Sequence, residues 1–199
     1  MPADNFVYFP TAAVGGLLGQ HTKPEGESAD NWFGQTTDKK ALEVLSFSFG
    51  VTQGETSGSG STGAGIGRAK FDEFTIEKFV DRASVPLYNA CAAGAHFPDV
   101  LLLVRKPGGN NLLYLQFIFR MVFVTNISWS GGGGDETPKE TIKFKFGAMG
   151  IQYQQQDAKG QPMGGDGKKS ASWSTVTNKN ELTVPGLAAA KDYLPVMQS

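Results

Sequence analysis

The chain carries 199 residues, with 18 Lys and Arg against 19 Asp and Glu, so its net charge is -1. That length suits one domain with a proper core, or two small ones, and the absence of a positive excess excludes charge-driven binding to nucleic acid. A single cysteine, Cys91, excludes an internal disulfide framework and every zinc or redox motif that needs paired cysteines, which points to a reducing folding compartment.

Period-two alternation dominates the chain, the pattern of strands whose successive side chains point to opposite faces. A short first strand is expected at Phe6-Val7-Tyr8-Phe9. Leu45, Phe47, Phe49 and Val51 alternate with Ser46, Ser48 and Gly50, and Phe74 and Ile76 alternate with Thr75 and Glu77. One helix is predicted over 84–93, capped by Ser84, with Pro86 in its first turn and Gly94 closing it. Leu87, Ala90 and Cys91 share one face of it, with Cys91 a small buried residue rather than a reactive thiol.

A strand pair then spans 99–125, turning at Lys106-Pro107-Gly108-Gly109-Asn110-Asn111. Its second member sets Leu113, Leu115, Phe117, Phe119, Met121 and Phe123 on one face. The other face, with Tyr114, Ile118, Val122 and Val124, is too apolar for free water and requires cover. Ile142, Phe144 and Phe146 alternate with Lys143 and Lys145 in a run that continues to Ile151 and Tyr153, and a last short strand is expected around 173–177. The stretch from Leu187 to Tyr193 reads equally as a short helix or as a disordered tail.

The 26 glycines, close to twice the usual share of roughly 7%, fall mainly into connections. Gln53-Gly54-Glu55-Thr56-Ser57-Gly58-Ser59-Gly60-Ser61-Thr62-Gly63-Ala64-Gly65-Ile66-Gly67 is the longest, and its Gly/Ser/Thr composition predicts an extended, mobile loop between two strands. A structureless loop of this length in a small domain usually serves a partner, a first hint of assembly.

Motifs for chemistry mostly fail. Gly58, Gly60 and Gly63 spell G-x-G-x-x-G, but a strand follows where dinucleotide binding needs a helix. Gly167-Lys168-Lys169-Ser170 puts a second lysine where a phosphate loop needs Ser or Thr. His21 and His96 lie far apart in sequence, and two imidazoles alone make no zinc site. Asp72, Glu73, Glu77 and Asp81 read as a solvated face rather than a glycosidase pair, and Trp32, Trp129 and Trp173 as core or interface rather than a sugar platform. Asn126-Ile127-Ser128 is a glycosylation sequon by spelling only. No catalytic residue, metal site or cofactor is therefore expected. No run approaches 18 consecutive apolar residues, so membrane insertion is not expected, and Met1-Pro2-Ala3-Asp4-Asn5 lacks the regions of a secretory signal. Any export is expected to bypass the signal-peptide route.

The order of segments resembles a known family. It runs through Gly26-Glu27-Ser28, Leu42-Glu43-Val44-Leu45-Ser46-Phe47-Ser48-Phe49-Gly50-Val51 and Phe74-Thr75-Ile76-Glu77-Lys78-Phe79-Val80-Asp81-Arg82-Ala83-Ser84. It continues through Asn89-Ala90-Cys91-Ala92-Ala93-Gly94-Ala95-His96-Phe97-Pro98, Leu102-Leu103-Val104-Arg105-Lys106-Pro107-Gly108-Gly109, Thr137-Pro138-Lys139-Glu140-Thr141 and Tyr153-Gln154-Gln155-Gln156-Asp157-Ala158-Lys159-Gly160. Together these are similar to the Hcp family, the tube proteins of bacterial type VI secretion.

The resemblance implies a mainly β fold: a closed β-barrel of two packed antiparallel sheets with one helix on its side, six copies forming a ring. Stacked rings would make the inner tube of the secretion machine, with spike and sheath proteins as partners and small effector proteins held in the lumen. Such a tube is assembled in the cytoplasm and then leaves the cell without a signal peptide. The alternative is a tail-tube-like subunit of a phage or another contractile injection device. The barrel is expected over 1–178, interrupted by an insertion at 10–24 and the loop at 53–68, the latter as the ring-stacking element. An extension follows at 179–199. Val14, Leu17 and Leu18 in the insertion, and Leu187 and Tyr193 in the extension, are the expected subunit or ring contacts.

Overall fold

A computed structural model describes residues 4–17, 19–28, 40–55, 66–106, 113–134, 136–157 and 161–189. They form eleven strands and one helix: β1 (Asp4–Tyr8), β2 (Leu42–Val44), β3 (Ser46–Ser48), β4 (Val51–Glu55), β5 (Ile66–Phe71), β6 (Phe74–Phe79), α1 (Ser84–Ala93), β7 (His96–Arg105), β8 (Leu113–Ser130), β9 (Lys139–Lys145), β10 (Ala148–Gln154) and β11 (Lys168–Ser174). Every ladder is antiparallel.

The expected closed barrel of two packed sheets is corrected by the topology. There is one nine-stranded sheet, ordered β2-β1-β7-β8-β9-β6-β3, with β10 on β8 and β11 on β10, and a separate two-stranded β4-β5 ladder. The long β8 makes the sheet fork: residues 115–120 pair with β10, and 123–130 pair with β9 along the same edge. Gly147 is the branch point, its N–H held by the Arg120 carbonyl at 2.9 Å. The ladder is open: its end strands β2 and β3, consecutive pieces of one chain, do not pair with each other. Leu45 is the corner between them, its N–H bound to the Glu77 carbonyl at 2.8 Å.

One face of the curled sheet encloses the main core. Phe74 stacks on Phe119 at 4.4 Å and on Phe144 at 5.5 Å, Phe9 meets Phe97 edge-on at 4.7 Å, and Phe49 meets Phe117 at 4.8 Å. Each such ring fully buried contributes about 1.5–3 kcal/mol, and edge or offset pairs add to that. α1 lays Leu87 and Ala90 on this cluster, while Cys91 packs at its margin. Burial raises the Cys91 thiol pKa, which disfavours the thiolate.

Several sequence expectations shift in register. Ser84 does not cap the helix. Ala83 is the cap residue, the Asp81 carboxylate accepts its N–H at 2.9 Å, and Gly94 closes the helix in the left-handed region at φ 66°. The inward face of β8 does not keep one parity. Leu115, Phe117 and Phe119 join the main core, then the face flips at Met121 (φ 52°) so that Val122 and Val124 point in. β7 flips beside it, with Phe97 and Val100 both inward. In the 45–51 run, Phe47 and Phe49 pack against the core, whereas Leu45 and Val51 are exposed and Leu42 and Val44 take their place. The last strand begins at Lys168 rather than near 173, its Ser/Ala alternation too mild to read. The described residues 187–189 are not helical, and the turn over 107–112 lies outside the described residues.

Candidate assembly surfaces

The expected stacking loop is partly ordered as a hairpin. Gln53 pairs with Ala69 and Glu55 with Ile66, with a bulge between, so Gln53, Gly54, Glu55, Ile66 and Gly67 belong to β4 and β5 rather than to a structureless loop. Residues 56–65, with Gly58, Gly60 and Gly63, lie outside the described residues. The hairpin base borders an apolar groove of about 380 Å³ against β10 and β11, walled by Phe49, Val51, Phe71, Met149, Ile151 and Trp173. The Arg68 guanidinium donates to the Thr175 carbonyl, which ties the hairpin arm to the turn after β11. Val51 and Ile151 leave apolar surface exposed in this groove.

The stretch expected as an insertion reaches the end of α1 and the start of β7 through Val14 and Leu17. Val14 exchanges backbone hydrogen bonds with His96 at 2.8 and 3.1 Å, and Leu17 N–H reaches the Ala93 carbonyl at 2.9 Å. Gly16, at φ 78°, sits so close to the Ala93 carbonyl that a Cβ there would lie 2.5 Å from it. Ala13 is buried in the core, while the Leu17 side chain is 90% exposed. Leu18 and Tyr193 lie outside the described residues, and Leu187 is half-buried. The two histidines, distant in sequence, both flank Gly15: His21 Nε2 bonds its carbonyl at 2.9 Å, and a Cβ on Gly15 would stand 3.9 Å from His96 Nδ1. No sequence pattern pointed to that approach. Among the described residues no group of three or more His, Cys, Asp or Glu side chains is gathered to hold a metal ion.

The polar residues are engaged structurally. Lys78 and Glu140, 1% and 0% exposed, pair at 2.9 Å. Lys78 also donates to Asp81 at 2.8 Å and to the Phe79 carbonyl at 2.7 Å, while Ser84 and the Trp129 indole donate to Glu140 at 2.7 and 2.9 Å. Asp81 therefore belongs to a buried network joining β6, β8, β9 and α1, not to a solvated face. Glu73 accepts from Thr125 at 2.8 Å and Glu77 pairs with Lys139 at 3.6 Å. A polar cleft of about 790 Å³ beside the Leu45 corner holds Asp4, Glu27, Ser28, Glu43 and Arg105. There Arg105 pairs with Asp4 at 2.8 Å, Ser28 donates to Glu43 at 2.7 Å, and Glu27 accepts from Arg82 N–H at 3.2 Å. Gly167-Lys168-Lys169 enters a strand, and Lys169 pairs with Asp166 in solvent at 3.0 Å.

The outward face of β7 and β8 is covered from within the chain. Phe6, Ala41, Leu101, Leu103 and Leu113 form a second apolar cluster. Beyond it, residues 179–189 run back as a strap, with Val184 buried and Leu182 over Gly150 and Ile118. Arg120, paired with Asp99 at 2.8 Å, donates to the Leu182 carbonyl at 3.0 Å and to that of Ala188. Sequence reasoning gave these two charges no role, because a strand pattern does not say that a tail will return to the same strand.

A forked antiparallel sheet with one lateral helix, a separate two-stranded ladder and exposed apolar side chains defines a mainly β protein. The chain belongs to the Hcp family of type VI secretion: the family model described as "Type VI secretion system effector, Hcp" matches residues 21–153. It is 32% identical over 99 residues to protein hcp1 of Pseudomonas aeruginosa, a match covering 49% of this chain and 61% of that relative's length. A solved structure titled as a type six secretion system protein superposes with a TM-score of 0.72 at 30% identity, covering 90% of this chain and all of the other. Hcp1 from Salmonella typhimurium gives 0.64 at 25% identity, over 91% of this chain and all of the other. Among the described residues, no helix is long and apolar enough to cross a membrane.

Proposed function

We propose that this chain is a structural subunit of the type VI secretion inner tube. Six copies close into a ring, rings stack, and the tube leaves with the spike, driven by the sheath, carrying small effector proteins in its lumen. Assembly takes place in the cytoplasm, and the machine itself delivers the protein outside. Family membership over residues 21–153 carries this reading. The hairpin supports it: β4 and β5 form a ladder separate from the main sheet, and exposed Val51 and Ile151 line the groove at its base, where neighbouring copies gain by burying them.

Light scattering on a sizing column, followed by negative-stain microscopy of the same peak, tests it. Rings of about six chains are expected; a monodisperse monomer across a wide concentration range overturns the reading. Deleting 56–65 is expected to leave the ring folded, because Gly, Ser, Thr and Ala bring almost no apolar volume to a core, and to weaken stacking. Unfolding of that variant, or unchanged tubes, counts against the hairpin's role.

A further inference from the structure

A cavity of about 450 Å³ lies between the sheet and the 179–189 strap, with Gln116, Gln152, Ser170 and Ser172 on the sheet side and Asn180 and Leu182 on the strap side. Gln116 and Gln152 are direct partners across the β8-β10 ladder, and Ser170 partners Gln152 across the β10-β11 ladder, so the three stand in a row. Both glutamines are deeply buried, at 4% and 7% exposure, and the Oε1 of each has no hydrogen-bond partner. A buried amide oxygen left unpaired is costly and rare in native structures. Gln154 shows the contrast: two residues further along β10 and on the same face, it donates to the Met163 carbonyl at 2.8 Å and to that of Gln155 at 3.1 Å. The two unpaired oxygens are therefore confined to the wall of this cavity.

The chemistry of the wall selects what would answer them. Two acceptors call for N–H donors, and the last torsion of a glutamine is soft, so each oxygen swings into the cavity when a donor is there to meet it. Among the described residues no charged side chain lines the cavity, so an ionic ligand would lose its hydration without gaining a counter-charge. A carboxamide is neutral and offers N–H and C=O together, which suits a glutamine whichever way its end is turned, and suits Ser170 and Asn180 as well. The volume lies within the range of small-molecule sites, roughly 300–1,000 Å³, where an apolar wall surrounds a few polar groups. Leu182 supplies that wall from the strap. It closes on the sheet because Gly150 lies beneath it, where a Cβ would stand 3.2 Å from the leucine. Ser172 donates to Asn180 at 3.3 Å, and Arg120 holds the Leu182 carbonyl at 3.0 Å, so the strap is fastened on both sides of the cavity.

We infer that the cavity beneath the 179–189 strap binds a small uncharged carboxamide, with Gln116 and Gln152 accepting its N–H groups and Leu182 closing over it. N-acetylglycinamide is the probe, and N-acetylglycine, the same skeleton ending in a carboxylate, is its control. Saturation-transfer NMR on the full-length protein reads binding, and amide hydrogen exchange reads the strap. Saturable binding of the amide is expected, weaker by about tenfold or more for the carboxylate and for the variants Gln116→Leu and Gln152→Leu. Bound probe should slow exchange over 179–189. Both leucine variants should melt no lower than the parent, because an apolar group of similar size replaces an unpaired polar one. The tripeptide acetyl-Gly-Gln-Gly-amide separates two sources of the same chemistry: tighter binding than the small probe assigns the carboxamide to a polypeptide, weaker binding to a free molecule. No saturable signal, equal binding of amide and carboxylate, or binding that survives the leucines overturns the inference. So does a marked fall in both melts, which would make the glutamines part of a water-bridged structural pair. Glutamine-dependent binding that leaves strap exchange unchanged overturns the placement beneath the strap. The two probes compared on the unaltered protein decide the question even where a variant fails to fold.

Discussion

The two faces of the long strand β8 are built on different terms. Inward, Phe117 and Phe119 meet Phe49, Phe74 and Phe146 in ring contacts of 4.4 to 5.4 Å, all supplied by the chain itself. Outward, the same strand carries Gln116 and Arg120, a buried amide and a buried cation, covered by a strap with no ladder of its own beyond one bridge from Ser174 to Lys179. The inner face is specified by apolar volume, which tolerates only packing. The outer face is specified by hydrogen bonds, which fix what lies over it.

The largest effect should come from placing a charge on the inner face. Phe117→Asp is expected to abolish folding, since an unpaired buried carboxylate costs several kcal/mol against a total stability of about 5–15 kcal/mol. Leu115→Asp, at a position only partly buried, should be less severe. A soluble, cooperatively melting Phe117→Asp protein would mean that the inner face is misassigned. Next is the Lys78-Glu140 pair. Lys78→Met leaves Glu140 buried without its cation and is expected to cost about 3–5 kcal/mol. Adding Glu140→Leu should recover part of that, a coupling that a double-mutant cycle by urea unfolding would measure.

How far this contrast could be read beforehand follows from the same chemistry. The β class, the helix bounds at 84 and 93 and the aromatic inner face were legible, because period-two alternation and a closing glycine are local signals. The flip at Met121 was not, since a single left-handed residue leaves no mark on composition. Lys78 looked like one more polar residue on a half-exposed strand, because burial of a charge depends on Asp81, Ser84, Trp129 and Glu140 arriving from elsewhere in the chain. The open ladder was hidden for a similar reason: one run, 42–48, serves both ends of the sheet.

The outer face allows a milder test. Arg120→Lys keeps the charge beside Asp99 but loses the planar fork that reaches the Leu182 and Ala188 carbonyls together. Lost charge-assisted bonds of this kind are worth about 1.5–3 kcal/mol, and the loss should fall on the strap. Amide exchange over 179–189 is expected to rise while β7 and β8 stay protected. Uniform loss of protection would show that Arg120 supports the whole sheet rather than the strap.

The smallest expected effect lies where the insertion meets β7. His96 packs its ring 5.2 Å from Phe123 and exchanges backbone bonds with Val14, and burial lowers its pKa below the ordinary value of about 6.5. The unfolded chain then takes up a proton at a pH where the folded chain does not, so stability rises with pH across that interval. It should be fully present above about 6.5, fall as the pH drops towards the lower folded value, and level off below it. His96→Gln, which cannot titrate, should flatten this part of the stability-pH curve while leaving the melt at pH 8 nearly unchanged. A slope that survives the substitution would assign the titration to another group. Amide exchange over 12–17 should respond first, because protonating His96 disfavours the packing that holds the insertion on the end of α1.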